Sequence, residues 1–276
     1  MSEGAKVAVV TGAASGLGRA LAMALGRASW TVIASDIDAE GAKMTAEMLR
    51  EEGATAEHFQ TDVRDPKAFE DLAEAVWARH NRCDLIINNA GVAVTGRVGD
   101  VSLEDWRWCL DVDLFGPIHG CHSFAPRMKA QGWGHIVNIA SIAGYALSGR
   151  MAPYNVAKAG VVALSESLRA ELIDHNVGVT VVCPGFFPTG IAKHMRVTKE
   201  RERDKTQRML DRSRTSAESV AQLIIEAVEK KRPMVVTPRD AKLLFWMRRL
   251  LPSRATELLR WMARPSKTTR PSKTKN

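Results

Sequence analysis

Thr11-Gly-Ala-Ala-Ser-Gly-Leu-Gly18 lies between a short apolar run and a helical pattern at about residues 17 to 28. A strand, a glycine-rich turn and a helix in this order are the context that a dinucleotide-binding fingerprint requires. Gly12 permits a tight turn, Gly16 lets the backbone approach a pyrophosphate, and Gly18 brings the helix close to the strand. The helix N-terminus adds free N–H groups and positive potential, which favour anions. This stretch therefore predicts an α/β fold with a dinucleotide site.

Asp36 favours a bound dinucleotide over the alternative, a glycine-rich turn without a ligand. It ends the next apolar run, eighteen residues after Gly18, where a carboxylate can accept hydrogen bonds from the hydroxyl groups of an adenosine ribose. A 2′-phosphate would meet like charge there, and Ser35, Ile37 and Asp38 provide no cation to offset it. We therefore expect NAD rather than NADP. Asp38 is better placed than Asp36 to serve as the N-cap of the following helix.

Short apolar runs alternate with longer helical patterns as far as residue 238. Such runs are typical of strands buried on both faces of a parallel sheet, and repeated strand and helix units form a doubly wound sheet. We predict a single Rossmann-type α/β domain of about seven strands over residues 1 to 238. The predicted strands are Lys6 to Thr11, Thr31 to Asp36, Asp84 to Asn89, His135 to Ser141, Val177 to Pro184 and Met234 to Thr237. The predicted helices cover about residues 17 to 28, 39 to 52, 67 to 80, 103 to 130, 154 to 174 and 217 to 230.

Positive charge is concentrated at the C-terminal end of the sequence. The whole chain has a net charge of +8, whereas residues 239 to 276 alone contain eleven Lys or Arg against two acidic residues. A nucleic-acid-binding protein usually spreads basic side chains over a folded face, so nucleic acid is not an expected partner. We divide this segment into a basic amphipathic extension, 239 to 264, and a tail, 265 to 276, whose Pro, Ser, Thr and Lys content predicts disorder.

The basic amphipathic extension separates apolar side chains from cationic ones along a helical pattern, and Trp246 and Trp261 suit an interface. Such a segment can lie on an anionic membrane, pack against a second subunit or cover a pocket, and all three alternatives stay open. No run in the sequence reaches the length of a membrane span. The four cysteines form neither a CxxC pair nor a metal-ligand cluster, so we expect no metal and a reducing, cytoplasmic setting.

Tyr154 and Lys158 lie four residues apart at the start of a predicted helix, just after Pro153. This spacing places both side chains on one face. A free tyrosine titrates near ~10, so it acts as an acid or base near neutral pH only when a positive charge stabilises the phenolate. Lys158 can supply that charge. Ser141 ends a predicted strand, at the edge where open α/β sheets bind ligands, and its hydroxyl could hold a substrate oxygen.

Five motifs together resemble the short-chain dehydrogenase/reductase family. They occur in the family's order over residues 5 to 238, and a chance tyrosine–lysine pair alone would prove little. The motifs are TGAASGLG from Thr11, Asn88-Asn-Ala-Gly91, Ser141, Tyr154-Asn-Val-Ala-Lys158 and Pro184-Gly185. The resemblance implies a nicotinamide-dependent oxidoreductase that forms a homodimer or homotetramer.

The resemblance also implies roles for single residues. Tyr154 would be the general acid and base, Lys158 would lower its pKa and bind the nicotinamide ribose, and Ser141 would orient the reacting oxygen. Thr189 would reach the nicotinamide carboxamide. The cofactor-binding residues implied in this way are Gly12, Ser15, Gly16, Leu17, Gly18, Asp36, Asp62, Val63, Asn89, Ala90, Gly91, Tyr154, Lys158, Pro184, Gly185, Phe187 and Thr189.

Asp113 departs from the family pattern, which usually has an asparagine at this position. The asparagine positions a water beyond the lysine through its backbone carbonyl, and an aspartate could present the same carbonyl. We keep Asp113 among the candidate catalytic residues, with the proton relay in question.

The resemblance implies that the segments after the strands Asp84 to Asn89, His135 to Ser141 and Val177 to Pro184 line the substrate pocket, with a lid near residues 190 to 215. Nearly all of their candidate side chains are apolar, and Arg150 is the only charged residue between Ser141 and Tyr154. We therefore expect a lipophilic secondary alcohol or ketone. Apart from Ser141, the candidate substrate-binding residues are Val92, Val94, Ile142, Leu147, Met151, Phe186 and Ile191.

Three alternatives stay open. The chain could be a sensor or scaffold protein that binds NAD(H) with little turnover, which Asp113 would favour and the intact catalytic trio would not. An epimerase or dehydratase usually has a larger C-terminal substrate domain than the forty or so residues found here. The basic lid segment, residues 193 to 214, could also be no more than a solvated helix.

Overall fold

Strands and helices alternate along the computed structural model, which describes residues 4–146, 149–188, 190–213, 215–251 and 253. The strands are β1 (Val7–Thr11), β2 (Thr31–Asp36), β3 (Ala56–Gln60), β4 (Leu85–Asn88), β5 (Val94–Thr95), β6 (Gly134–Ile139), β7 (Val177–Pro184), β8 (Arg196–Val197) and β9 (Met234–Thr237). The helices are α1 (Gly16–Arg27), α2 (Ala39–Glu51), α3 (Pro66–His80), α4 (Leu103–Leu110), α5 (Gly116–Gln131), α6 (Ala143–Ala146), α7 (Ala152–Leu172), α8 (Ile191–His194), α9 (Glu200–Asp211), α10 (Ala217–Glu229) and α11 (Arg239–Leu250).

Seven parallel strands form the main sheet in the order β3-β2-β1-β4-β6-β7-β9. The chain moves outward in one direction from β1 to β3, then crosses back to β4 and continues the other way. Such a switch point opens a crevice at the carboxyl ends of the strands. One apolar cluster includes residues of α1 and α10, and a second, on the other face, includes residues of α3, α5 and α7. The sheet confirms the predicted Rossmann-type doubly wound fold.

Besides the short elements β5, β8, α6 and α8, which were not predicted, two larger differences from the sequence prediction stand out. β3 was not predicted because it is an edge strand whose Glu57 and His58 give it little apolar character, yet it pairs in register with β2. The long helix predicted over 103 to 130 is instead α4 and α5, joined by a π-helical turn at Asp111–Phe115. A π-helical turn adds a residue to the helical repeat and so redirects side chains, often at functional sites. Here the turn buries Asp113 completely.

A buried polar network joins the central strands to α7. The Asn88 Nδ2 donates to Asn138 Oδ1 at 2.8 Å, and Asn138 Nδ2 donates to the Ser165 hydroxyl at 3.0 Å. Ser165 in turn donates to the Val161 carbonyl at 2.7 Å. Buried polar groups need such partners because an unsatisfied one costs about 1–3 kcal/mol. The network fixes α7, which bears Tyr154 and Lys158, against β4 and β6.

Helix α11 packs on the sheet edge with one face and exposes apolar side chains on the other. Ala241 and Phe245 are buried, and the Phe245 ring meets the Tyr145 ring edge-on with centroids 4.8 Å apart. Leu243 and Trp246 are exposed. Trp261 and the predicted disordered tail lie outside the described residues. Within the described ranges, no helix combines the length and apolar character that a membrane span needs.

Candidate active site

A cavity of about 1650 Å³ opens at the carboxyl ends of the strands, over the switch point of the sheet. It is lined at one end by the glycine-rich turn and by the ends of β2 and β3. At the other end it is bounded by the segments around α8 and α9. Its size and position suit an extended ligand that runs across the edge of the sheet.

The glycine-rich turn forms a cradle that only glycine permits. Gly12 has a φ of +67°, and a Cβ atom at Gly18 would lie 2.0 Å from the Gly12 carbonyl oxygen. The Asn89 side chain holds this turn by donating to the Thr11 carbonyl at 2.8 Å. In the part of the chain that is described, Ser15 caps α1 without a side-chain hydrogen bond. Ser15, Gly16, Leu17 and Gly18 line the cavity, so the first turn of α1 borders it, as the binding of a pyrophosphate requires.

Asp36 is held in place at the cavity wall by backbone N–H groups. Its Oδ2 accepts from Ala14 N at 2.9 Å and its Oδ1 accepts from Asp38 N at 3.0 Å. Asp38 itself caps α2, with its side chain accepting from Gly41 N at 3.1 Å, as the sequence predicts. The Asp36 carboxylate is thus fixed at the cavity wall, with accepting capacity left on both oxygens.

Arg64 is a cation at the same end of the cavity that the sequence analysis did not consider. Its guanidinium binds the Asp62 carboxylate, with Nη2 and Oδ2 2.6 Å apart, and this hydrogen bond lowers the pKa of Asp62. The pair leaves little free positive charge beside Asp36. Val63, between them in sequence, is buried and lines the cavity.

The three candidate catalytic residues, Ser141, Tyr154 and Lys158, meet at the middle of the cavity. Helix α7 starts with Pro153 in its first turn, and the Lys158 Nζ lies 5.6 Å from the centroid of the Tyr154 ring. Ser141 follows β6, and its hydroxyl accepts from Ala143 N at 3.1 Å and forms a hydrogen bond with the Tyr154 phenol. The three side chains predicted from separate motifs therefore converge at one point.

Lys158 is only 3% exposed, and both of its close partners are buried groups. The Nζ donates to the Ile139 carbonyl at 3.1 Å and lies 3.2 Å from Asp113 Oδ1. Asp113 Oδ1 also accepts from Val92 N at 3.0 Å, and the Cys109 thiol donates to Oδ2 at 3.5 Å. The aspartate at the family's asparagine position is thus a direct side-chain partner of the lysine.

Burial and neighbouring charges shift the pKa values of Tyr154 and Lys158 in opposing directions. Burial raises the pKa of Tyr154, the positive charge of Lys158 opposes that rise, and the negative charge of Asp113 adds to it. Burial alone would lower the pKa of Lys158, but Asp113 and Tyr154 together raise it above its ordinary value. Lys158 therefore stays protonated, and Asp113 partly cancels its effect on the tyrosine.

A family model described as short chain dehydrogenase matches residues 6–200. The chain belongs to this family. A probable oxidoreductase, EphD of Mycobacterium tuberculosis, is 37% identical over 262 residues, which are 91% of this chain and 44% of EphD. The chain therefore spans less than half of the length of that relative.

Solved structures of the short-chain dehydrogenase family agree with the fold. A member from Burkholderia phymatum in complex with NAD has a TM-score of 0.85 and 31% identity, covering 98% of this chain and 100% of its own. A metagenomic short-chain oxidoreductase in complex with NADP has a TM-score of 0.70 and 28% identity, covering 84% of this chain and 96% of its own. Similar structures thus hold either nicotinamide cofactor.

Most of the predicted site residues line the cavity. All the expected cofactor-binding residues do so except Thr189, which lies outside the described residues together with Leu147. The prediction that Val94 lines the substrate pocket was wrong. Val94 is buried in β5, where it packs with Val101 and Cys109 rather than facing the cavity. The expected substrate-binding residues that do line the cavity are Ser141, Val92, Ile142, Met151, Phe186 and Ile191.

The sequence analysis missed most of the residues that the C-terminal half contributes to the cavity. Leu244 of α11 lines it, as does a series of residues on α9, and in the N-terminal half Trp108 of α4 was missed as well. The helical pattern of the lid segment was visible in the sequence. Its orientation was not, because it depends on Leu210, which packs with Ala93 and Met195.

Asp113→Asn should move the pH dependence of alcohol oxidation toward lower pH. The amide keeps an acceptor for Val92 N but removes the negative charge, so the charge of Lys158 lowers the pKa of Tyr154 more strongly. We expect the acidic limb of the kcat/KM profile to shift to lower pH. The control is Asp111→Asn, on the same π-helical turn, which should leave the limb in place. An unmoved limb in Asp113→Asn would show that the carboxylate does not act on the tyrosine.

Proposed function

We propose that this chain is an NAD-dependent dehydrogenase that interconverts a lipophilic secondary alcohol and its ketone. The observation that supports this most strongly is the convergence of Ser141, Tyr154 and the ammonium group of Lys158 at the middle of the cavity. A cradle for a dinucleotide leads directly to them from one side. Apolar side chains border them on the other.

Tyr154 would exchange the proton of the reacting oxygen. In alcohol oxidation its phenolate accepts the hydroxyl proton, and in ketone reduction its phenol donates one. The Ser141 hydroxyl, held by Ala143 N, would fix the substrate oxygen beside the phenol. Lys158 stabilises the phenolate by its charge and is itself held by Ile139 and Asp113. A bound NAD would supply the hydride acceptor.

Tyr154→Phe tests this assignment. The phenyl ring keeps the packing but cannot exchange a proton, so we expect NAD reduction with hydrophobic secondary alcohols to fall by at least about a thousandfold. Binding of NADH, followed by its fluorescence, should change little.

The same variant separates the enzyme from the alternative, an NAD(H)-binding sensor or scaffold. Wild-type protein that binds NADH but reduces no NAD over a broad panel of secondary alcohols would favour the sensor. Turnover by Tyr154→Phe close to that of wild type would refute the role of Tyr154.

Asp36 supports the choice of NAD over NADP. Its carboxylate lines the cavity where a ribose would lie, and Arg64, the nearby cation of that wall, is already bound to Asp62. A 2′-phosphate placed beside Asp36 would therefore meet uncompensated like charge.

Asp36→Asn should raise the use of NADP relative to NAD. The amide oxygen still accepts from Ala14 N, so the turn keeps its shape while the repulsion is lost. We expect the ratio of kcat/KM for NADP over NAD to rise by about tenfold. Glu40→Gln removes an equal charge from the neighbouring helix α2, away from the cavity, and should leave the ratio unchanged. An unchanged ratio in Asp36→Asn would remove the basis for the NAD preference.

The apolar lining supports a lipophilic substrate at the reacting centre. Val92, Ile142 and Met151 border the catalytic trio, and Leu244 extends the apolar wall toward α11. Arg150, the only charged residue between Ser141 and Tyr154, is bound to Glu202 with Nη1 and Oε1 2.6 Å apart.

A peripheral contact with anionic membranes is a further part of this proposal. Leu243, Trp246 and Leu250 form an exposed apolar stripe on α11, and Lys242 and Arg249 flank it. A helix of this type binds at the surface of anionic bilayers. The contact would bring a lipophilic substrate close to the cavity wall that Leu244 forms.

Sedimentation with vesicles tests the membrane contact. We expect more full-length protein in the pellet with phosphatidylcholine–phosphatidylglycerol vesicles than with phosphatidylcholine alone, and Leu243→Gln/Trp246→Gln should abolish the difference. The control variant, Leu103→Gln/Ile173→Gln, removes two apolar side chains that are also exposed but lie elsewhere. It should keep the difference between the two kinds of vesicle. Equal recovery in the supernatant for wild type and both variants would contradict the proposal.

A further inference from the structure

Four basic residues form one line along α9, where the helix borders the cavity. Arg201, Lys205, Arg208 and Arg212 follow one another at intervals of four, three and four residues, which places them on one face. All four are exposed and all four line the cavity. At 1.5 Å per residue this basic stripe extends over about 16 Å, longer than a single carboxylate group can span.

The basic stripe has no acidic partner in the part of the chain that the structure describes. Three of the four acidic residues of α9 have other partners: Glu200 binds Arg203, Glu202 binds Arg150, and Asp211 accepts from Gln207. The fourth, Asp204, lies three residues from Arg201 and four from Arg208 but forms no ion pair with either in the described part of the chain. Like charges at such spacing destabilise a helix by about 0.2–0.5 kcal/mol for each pair. The stripe therefore concentrates positive charge on one face of α9 without an ion pair to an acidic side chain of the described chain.

The stripe lies at the substrate end of the cavity. On the inner side of α9, Leu210 packs in a cluster that includes Ala93 and borders Tyr154, and Glu202 accepts from the Thr95 hydroxyl at 3.3 Å. These contacts hold α9 over the reacting centre and leave the stripe along the rim. Arg97, which follows β5, is exposed and also lines the cavity.

Within the described residues, each acidic side chain that lines this end of the cavity is bound to a basic side chain. Asp36 and Asp62 lie at the opposite end, and Asp113 and Glu202 are bound to Lys158 and Arg150. The cavity therefore has an apolar centre and a rim of positive potential. Such a rim concentrates anions and fixes their position.

We propose that the basic stripe of α9 binds a substrate head group with more than one negative charge, such as a phosphate ester. The apolar chain of the same molecule would reach Ser141 and Tyr154. This inference rests on the proposed function and names its substrate class: lipophilic at the reacting carbon and anionic at the far end.

The cofactor's own phosphates are the other anions that could meet the stripe. The cradle for a pyrophosphate is at the start of α1, and on the lid side a Cβ atom at Gly190 would lie 3.9 Å from Ser15 Oγ. The stripe begins eleven residues later, on a separate helix. The experiment therefore measures both ligands.

Calorimetric titration of the full chain with octyl phosphate and with 1-octanol, each with and without NADH, tests the proposal. The test variant is Arg201→Gln/Lys205→Gln. The control, Lys43→Gln/Lys129→Gln, removes two exposed charges that do not line the cavity. In the test variant we expect the Kd of octyl phosphate to rise by about fivefold or more, and less so at high salt. The Kd values of 1-octanol and of NADH should stay the same.

Three results would overturn the proposal: no binding of octyl phosphate to the wild type, equal weakening in both variants, or weakening of NADH alone. The last would assign the stripe to the cofactor. Failure of the proposed function has a different signature, namely no NAD reduction with any alcohol. The octyl phosphate comparison would still decide the role of the stripe in that case.

Discussion

The ammonium group of Lys158 is almost completely removed from water, and a buried charge is stable only where it is paired and hydrogen-bonded. Its partners come from two different elements, the end of β6 through Ile139 and the π-helical turn through Asp113. Loss of one member of such a pair costs about 3–5 kcal/mol. One side chain therefore ties α7 to the sheet and to the turn before α5. The position of Tyr154, one helical turn earlier, follows from that tie.

The ion pair also requires a glycine beside it. A Cβ atom at Gly91 would lie 2.8 Å from Asp113 Oδ1 and 3.4 Å from Lys158 Nζ. Behind the pair, a side chain at Gly120 would meet Asn88 Oδ1 at 2.0 Å, which would disrupt the network that fixes α7. The glycine that ends the Asn-Asn-Ala-Gly motif thus leaves room for the lysine's partner. The Asp113 carboxylate that positions Lys158 also weakens the effect of the lysine's positive charge on the pKa of Tyr154.

The sequence was sufficient for those parts of the fold and site that depend on local pattern. The glycine cradle, Asp36 at the end of β2 and the spacing of Tyr154 and Lys158 are all short-range features, and the structure brings them to one cavity. The sequence did not predict β3, because β3 is a strand through its pairing with β2 rather than through its own composition. The side-chain contact between Asp113 and Lys158 depends on a π-helical turn, which residue periodicity does not reveal. Val94 was misplaced because β5 pairs with β8, a contact between segments far apart in sequence.

The two ends of the cavity differ in charge, and this difference constrains any ligand that fills it. At the end of β2 the Asp36 carboxylate accepts hydrogen bonds and repels anions, whereas along α9 cations without acidic partners on the described chain attract them. Between the two ends, the catalytic groups lie among apolar side chains, where a charge acts over a longer distance than in water. Because Leu210 and Glu202 anchor α9 from within, its cations stay at the rim rather than near Tyr154. The positive charge that acts on the pKa of Tyr154 is then that of Lys158. Under the proposed function, an anion bound at the rim would therefore leave the proton transfer of Tyr154 unchanged.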